Sequence, residues 1–280
     1  MALKSKAGSE TNEGVDGKAD WEDLSSMSTS NIPRRGIFMD ITGLEGAGKS
    51  SLAMTLAEVG PLGYVDIDQS ADRAKKPEGK KQRDGIKILP VRYAIGLSEE
   101  TVKANCAEAW FNLEKRVGEA AARWAKGVVI DTGTEGWELI RLASFGTLTP
   151  RGRRMDRLYG PVNAKYRQLH RTVYRTHGKH LITIHQLKEE YVDRLKEGEM
   201  QSVRTGKMLR AGFKEIGYLS DLAVRCYRED GEFKAEIQVC KLSPNGPALE
   251  GVSVEGDDLN FASILALATD TTREDWLRAR

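Results

Sequence analysis

Apolar residues in this chain come in short runs of four to six, and the spacing between runs sets an order of elements. Ile37-Phe38-Met39-Asp40-Ile41 is continuous enough for a strand covered on both faces. Ser51 to Ala57 then places good helix formers at helical spacing, and Gly60-Pro61 stops that helix. Gly63 to Asp68 predicts a second strand, 71–85 a charged exposed loop, and Ile86 to Val91 a third strand. Ser98 to Ala125 reads as a long helix with Ser98 as its N-cap and Gly127 after its end. Val128-Val129-Ile130-Asp131 predicts another buried strand, Met155 to His177 a basic helix, and Leu181 to Ile184 the strand after it. Leu187 to about Gly212 is polar without a clear period and is expected to be a loop. Leu222–Tyr227 and Phe233–Leu242 alternate like a hairpin around Glu229-Asp230-Gly231-Glu232, and Leu259–Ala268 predicts a late helix. Strands alternating with helices, followed by a hairpin, predict an α/β fold with a mainly parallel sheet, flanking helices and antiparallel edge strands.

Composition narrows this picture. With 280 residues, 40% hydrophobic and 30% charged, the chain can bury a real core. Residues 1–33 form an exception, being rich in Ser, Gly, Glu, Asp and Lys, and are expected to be a disordered tail; 34–250 would be the core and 251–280 a C-terminal helical segment. No apolar run is long enough for a membrane helix and no secretory signal opens the sequence. The three cysteines lack CxxC spacing, which argues against a disulfide framework or a cysteine zinc site and for a cytoplasmic setting. Net charge is +2, but Phe145 to Lys214 holds 16 basic against 6 acidic residues. That imbalance fits a polyanion partner or a solvated basic surface.

The chemistry centres on Gly43-Leu44-Glu45-Gly46-Ala47-Gly48-Lys49-Ser50, with Ser51 next, which matches G-x-x-x-x-G-K-[ST] at every fixed position. The preceding strand and following helix are the context this motif needs. Glycines let backbone N–H groups turn inward around phosphates, Lys49 reaches the β- and γ-phosphates, and the Ser50 hydroxyl ligates Mg²⁺. Asp131, ending an apolar strand, has the pattern of a Mg²⁺-associated carboxylate. The pattern therefore predicts ATP and Mg²⁺ as cofactors. Asp68 and Glu135 both stand where a base for the attacking water is expected, and the residues alone do not choose between them.

These segments together resemble the RecA-like recombinases, in particular phage ATPases and single-strand annealing proteins with a RecA-like core. The resemblance runs from about Arg35 to Leu242. It aligns Tyr64-Val65-Asp66-Ile67-Asp68 with the strand that carries the catalytic carboxylate, and so implies Asp68 as base. Thr183-Ile184-His185-Gln186 looks like the strand ending in the γ-phosphate sensor, which implies Gln186 in that role. Gln238-Val239-Cys240-Lys241 resembles the strand whose lysine reaches the neighbouring subunit's nucleotide, which implies Lys241 as a finger in a homo-oligomeric ring or filament. The loops that bind DNA in the family would here supply Lys188, Arg194, Arg204, Lys207 and Arg210. Arg151, Arg153, Arg154 and Arg157 sit where the family's first DNA loop lies. The implied activity is ATP hydrolysis coupled to single-stranded DNA in phage-type recombination, annealing or repair. Two other readings stand beside it: a P-loop switch or chaperone-like ATPase that does not act on DNA, and an annealing protein with little hydrolysis. The stripe Tyr159, Tyr166, Tyr174 on the basic helix fits a core better than a base-stacking platform, and His185 fits a strand histidine as well as a signalling one.

Overall fold

In a computed structural model of the protein, the residues described are 35–71, 85–96, 98–149, 155–196, 199–243 and 246–278. The expected tail at 1–33 and most of the charged segment 71–85 lie outside them.

The first run becomes β1 (Phe38–Gly43), which leads through the glycine loop into α1 (Lys49–Met54), continued by a 3₁₀ turn over Thr55–Glu58. There follow β2 (Leu62–Asp66), β3 (Ile86–Pro90) and α2 (Glu99–Arg123), whose N-cap is Ser98, with its hydroxyl accepting from Thr101 N. Next come β4 (Gly127–Asp131), α3 (Gly133–Phe145) and α4 (Met155–Arg171), which runs on as a π-turn over Thr172–Thr176. Two long strands, β5 (His180–Lys196) and β6 (Glu199–Arg210), precede the short α5 (Ile216–Leu219). The chain ends with β7 (Leu222–Glu229), β8 (Glu232–Cys240), β9 (Ser253–Glu255), α6 (Phe261–Thr269) and α7 (Arg273–Arg278).

The strands lie in the order β3-β2-β4-β5-β1-β7-β8-β9. The first six are parallel, β8 and β9 are antiparallel at one edge, and β6 pairs with the far half of β5. This is the α/β sheet that the pattern predicts. Successive residues of β1 feed opposite cores, as a sheet covered on both faces requires. Ile37, Met39 and Ile41 pack with Tyr64, Val129, Ile182 and the apolar residues of α1, α6 and α7. Phe38 packs with Val65, Val128, Ile130 and the inner sides of α2, α3 and α4. The tyrosine stripe belongs to that second core: Tyr166 and Tyr174 are fully buried, and Tyr166 contacts Trp137, Phe213 and His170 edge-on.

The expected loop at 187–212 is a correction. β5 leaves the sheet and continues to Lys196, and β6 returns beside it from Glu199 to Arg210. The physical reason is that none of the ribbon's described side chains is buried on either face. Tyr191 is half exposed, and Val192 and Val203 pair across strands among charged neighbours, so no apolar face imposes a readable period of two. Cross-strand backbone pairing holds it instead, interrupted by a bulge where Gly206 takes a positive φ and the Thr205 hydroxyl donates to the Glu190 carboxylate at 2.7 Å.

Candidate functional site

The central strands end together, and their ends carry the chemistry. β1 delivers the glycine loop between β5 and β7. Gly46 and Gly48 have φ of +73° and +83°, conformations that side chains resist. Around Gly46 there is open space where a Cβ would stand. Gly43 is needed for another reason, because a Cβ there would lie 2.5 Å from the Cys226 carbonyl oxygen. Leu44, Glu45 and Gly46 are exposed, whereas Ala47 tucks into the core and donates its N–H to Leu44 O. Ser51 follows within α1. The lining thus offers backbone donors and room for an anion.

Lys49 Nζ folds back on this loop and donates to Leu44 O at 2.6 Å. Its burial lowers its pKa, with the Asp131 carboxylate acting in the opposite sense. Ser50 Oγ donates to Asp131 Oδ2 at 2.6 Å, and Tyr64 from mid-β2 donates its hydroxyl to the same oxygen. Asp131 is 1% exposed, and burial pushes its carboxyl up to about 6, against the two hydroxyl donors that favour its charge. An ionised carboxylate held there is short of positive charge. A divalent cation bound between Ser50 and Asp131 would supply it, so these residues fit Mg²⁺.

Asp68 lies just past the end of β2 rather than in the strand. Its charge acts on Lys49, Asp131 and Glu135, which places all four in one electrostatic neighbourhood. Asp66 has a structural task, with Oδ1 accepting from Ser70 N and Ala71 N to close the turn that presents Asp68. Glu135 sits in the first turn of α3, where Thr132 Oγ1 caps its N–H, and burial raises its carboxyl. Gln186 is exposed and in register with Gly43, directly across from the start of the glycine loop.

A buried polar network underlies that position, and the sequence reading did not foresee it as a unit. His185 Nδ1 lies 2.7 Å from Asp40 Oδ1, both side chains being wholly buried, and Arg210 Nη2 lies 2.7 Å from Asp40 Oδ2. Thr134 Oγ1 accepts from Gln186 N and donates to Ala211 O. Gly133 and Gly212 close over the His185 ring. The root of the β5–β6 ribbon is therefore tied to β1 three residues before the glycine loop and to α3 just after Asp131. The available signal was Asp40 itself, a charge inside a buried strand that needs a partner.

The remaining expected residues lie farther out. Lys188, Arg204 and Lys207 are exposed on the ribbon, and Arg204 also pairs with Glu189 at 3.1 Å and stacks over Tyr191. Arg210 is 23% exposed and engaged with Asp40. Arg194 lies on β5 and Arg157 on α4, but their side chains fall outside the described residues, as do Arg151, Arg153 and Arg154 entirely. Lys241 Nζ donates to the carbonyls of Gly217 and Ser220 at 2.8 and 2.9 Å, within its own chain, at the end of α5. Among the described residues no helix is long and apolar enough to cross a membrane.

No curated protein matches the chain. Among solved structures, the RadB recombinase aligns at 16% identity with a TM-score of 0.42, over 79% of this chain and 86% of that one. A family model described as an AAA domain matches residues 35–246, from the entry of β1 to beyond β8. The chain therefore belongs to the AAA domain family.

Proposed function

We propose that this protein binds ATP with Mg²⁺ at the 43–51 loop, hydrolyses it, and uses the cycle to act on single-stranded DNA in recombination, annealing or repair. The observation that carries the reading is the Ser50–Asp131 contact of 2.6 Å directly beneath a glycine loop of the right sequence and backbone. Lys49 exchanges its Leu44 carbonyl for β- and γ-phosphate oxygens. Ser50 and Asp131 would hold Mg²⁺, which would supply positive charge toward the phosphates. Asp68 orients the attacking water and accepts its proton, with Glu135 as the neighbouring alternative. Gln186 meets the γ-phosphate and passes its state into the ribbon root. In this reading 34–250 is the working core, Lys241 changes partners when copies assemble, and the setting is the cytoplasm.

DNA contacts are assigned to Arg151, Arg153, Arg154 and Arg157, and to Lys188, Arg194, Arg204, Lys207 and Arg210. The ribbon itself, residues 187–210, holds six basic and five acidic residues. That near-balance supports the second reading, in which the ribbon meets a protein and the ATPase is a switch. Filter binding of single-stranded DNA with and without ATP separates them. The first reading expects ATP-dependent binding, lost in Lys49→Ala; the second expects no retention in either condition.

A further inference from the structure

Across the glycine loop from Asp131 stands an aromatic side chain that neither the phosphate chemistry nor the core accounts for. Phe233 is the second residue of β8, beside the turn of the β7–β8 hairpin, and its ring lies against the glycine loop. A Cβ placed on Gly48 would be 3.0 Å from Phe233 Cδ1, so glycine at 48 admits the ring as well as the positive φ. Its cross-strand partner Arg228 holds its guanidinium carbon 5.2 Å from the ring centroid and donates Nε to Gly231 O at 2.9 Å. The neighbouring Lys234 pairs with Glu229 and Glu255, so those two carboxylates are engaged away from the ring. Despite these contacts Phe233 stays 44% exposed. A large aromatic ring left wet beside a phosphate-binding loop is placed to gain by covering from a bound ligand, since burial of such a ring is favourable.

We infer that Phe233 and Arg228 form the platform for the heterocyclic base of the nucleotide whose phosphates occupy the glycine loop; the inference rests on the nucleotide reading above. The geometry divides one ligand between two chemistries. Lys49, Ser50 and Asp131 lie toward β4, where the phosphate end belongs. Phe233 lies toward β8, on the opposite side of β1, where the other end of the ligand extends. A planar ring with a guanidinium stacked on it offers an unsaturated base both a π-face and a cation–π contact. The platform stacks any base, so it adds affinity for nucleoside triphosphates over bare polyphosphate without choosing strongly among bases.

The test compares ATP with inorganic tripolyphosphate, both with Mg²⁺, by calorimetry on the full chain. Phe233→Ala should weaken ATP by about tenfold or more, the usual worth of one stacked base, and leave tripolyphosphate affinity unchanged. Lys49→Ala should weaken both. Phe233→Trp should retain ATP affinity, and its added indole fluorescence, relative to wild type, should respond to ATP and not to tripolyphosphate. Unchanged ATP affinity in Phe233→Ala overturns the platform, and so does an equal loss for both ligands, which would make Phe233 a packing support of the loop. Wild-type protein that binds neither ligand would overturn the phosphate site, and the platform with it. Wild type that binds both equally would overturn the platform alone.

Discussion

At the scale of residues, the site is a problem in placing one negative charge. Asp131 is buried and its carboxyl is raised from 3.8 to about 6, so the fold favours its neutral form. The folded protein therefore binds more protons here than the unfolded chain between about pH 4 and 6. This contribution to stability is present at low pH and lost as pH rises through that window. Two outcomes follow for Asp131. Affinity for Mg·ATP should rise as pH increases through about 6, with proton release on binding, as measured by calorimetry in buffers of different ionisation enthalpy. Asp131→Asn, whose side-chain oxygen still accepts from Ser50 and Tyr64, should melt higher without ligand, by up to about 3 kcal/mol, and should lose the Mg²⁺ dependence of nucleotide binding. A lower melting temperature in that variant would contradict the charge argument. Asp68→Asn should keep ATP affinity and lose turnover; if Glu135→Gln behaves that way instead, the base is Glu135. The loop glycines, Lys49, Ser50 and Asp131 were legible because they are adjacent in sequence or end an apolar run. The Asp40–His185–Arg210 network was not, since its members come from three strands far apart in the chain. Phe233 was hidden as one alternating position in a hairpin.

At the scale of elements, strands and helices with a dry face declared themselves through their spacing, whereas the β5–β6 ribbon, none of whose described side chains is buried, did not. Its root and its outer part call for different experiments. Arg210→Ala removes one of the two partners of a wholly buried carboxylate, leaving His185, and should destabilise the protein by about 3 kcal/mol, read by chemical denaturation. Lys207→Ala, at an exposed position, should stay within about 0.5 kcal/mol of wild type. Equal stability of the two variants would show that the Asp40–Arg210 pair does not anchor the ribbon. A loss of DNA binding in Arg210→Ala therefore says little about direct contact. The cleaner probe is Arg151, Arg153 and Arg154 changed together to Ala. This should flatten the salt dependence of single-stranded DNA binding by about 0.7 per lost phosphate contact, while Mg·ATP affinity without DNA stays as in wild type. An unchanged slope would remove those arginines from the interface.

At the scale of the whole molecule, strand-helix alternation was enough to foresee a parallel sheet, but not the strand order, which depends on which crossovers pass over which face. That order is what matters for function. It sets β1 between β5 and β7, so the glycine loop has Gln186 on one side and Cys226 on the other, and it brings Asp131 of β4 beneath Ser50. The same order joins the phosphate end of the site to the ribbon root through β5 and Thr134. The start of the glycine loop and the ribbon root are thereby joined by one continuous set of backbone and side-chain hydrogen bonds. The most direct test of the central claim is steady-state ATP turnover by the full chain with Mg²⁺, with and without single-stranded DNA, beside Lys49→Ala. The account predicts Mg²⁺-dependent turnover that single-stranded DNA increases and that Lys49→Ala abolishes while keeping its circular dichroism spectrum and melting temperature. Turnover in Lys49→Ala equal to that of wild type would contradict it.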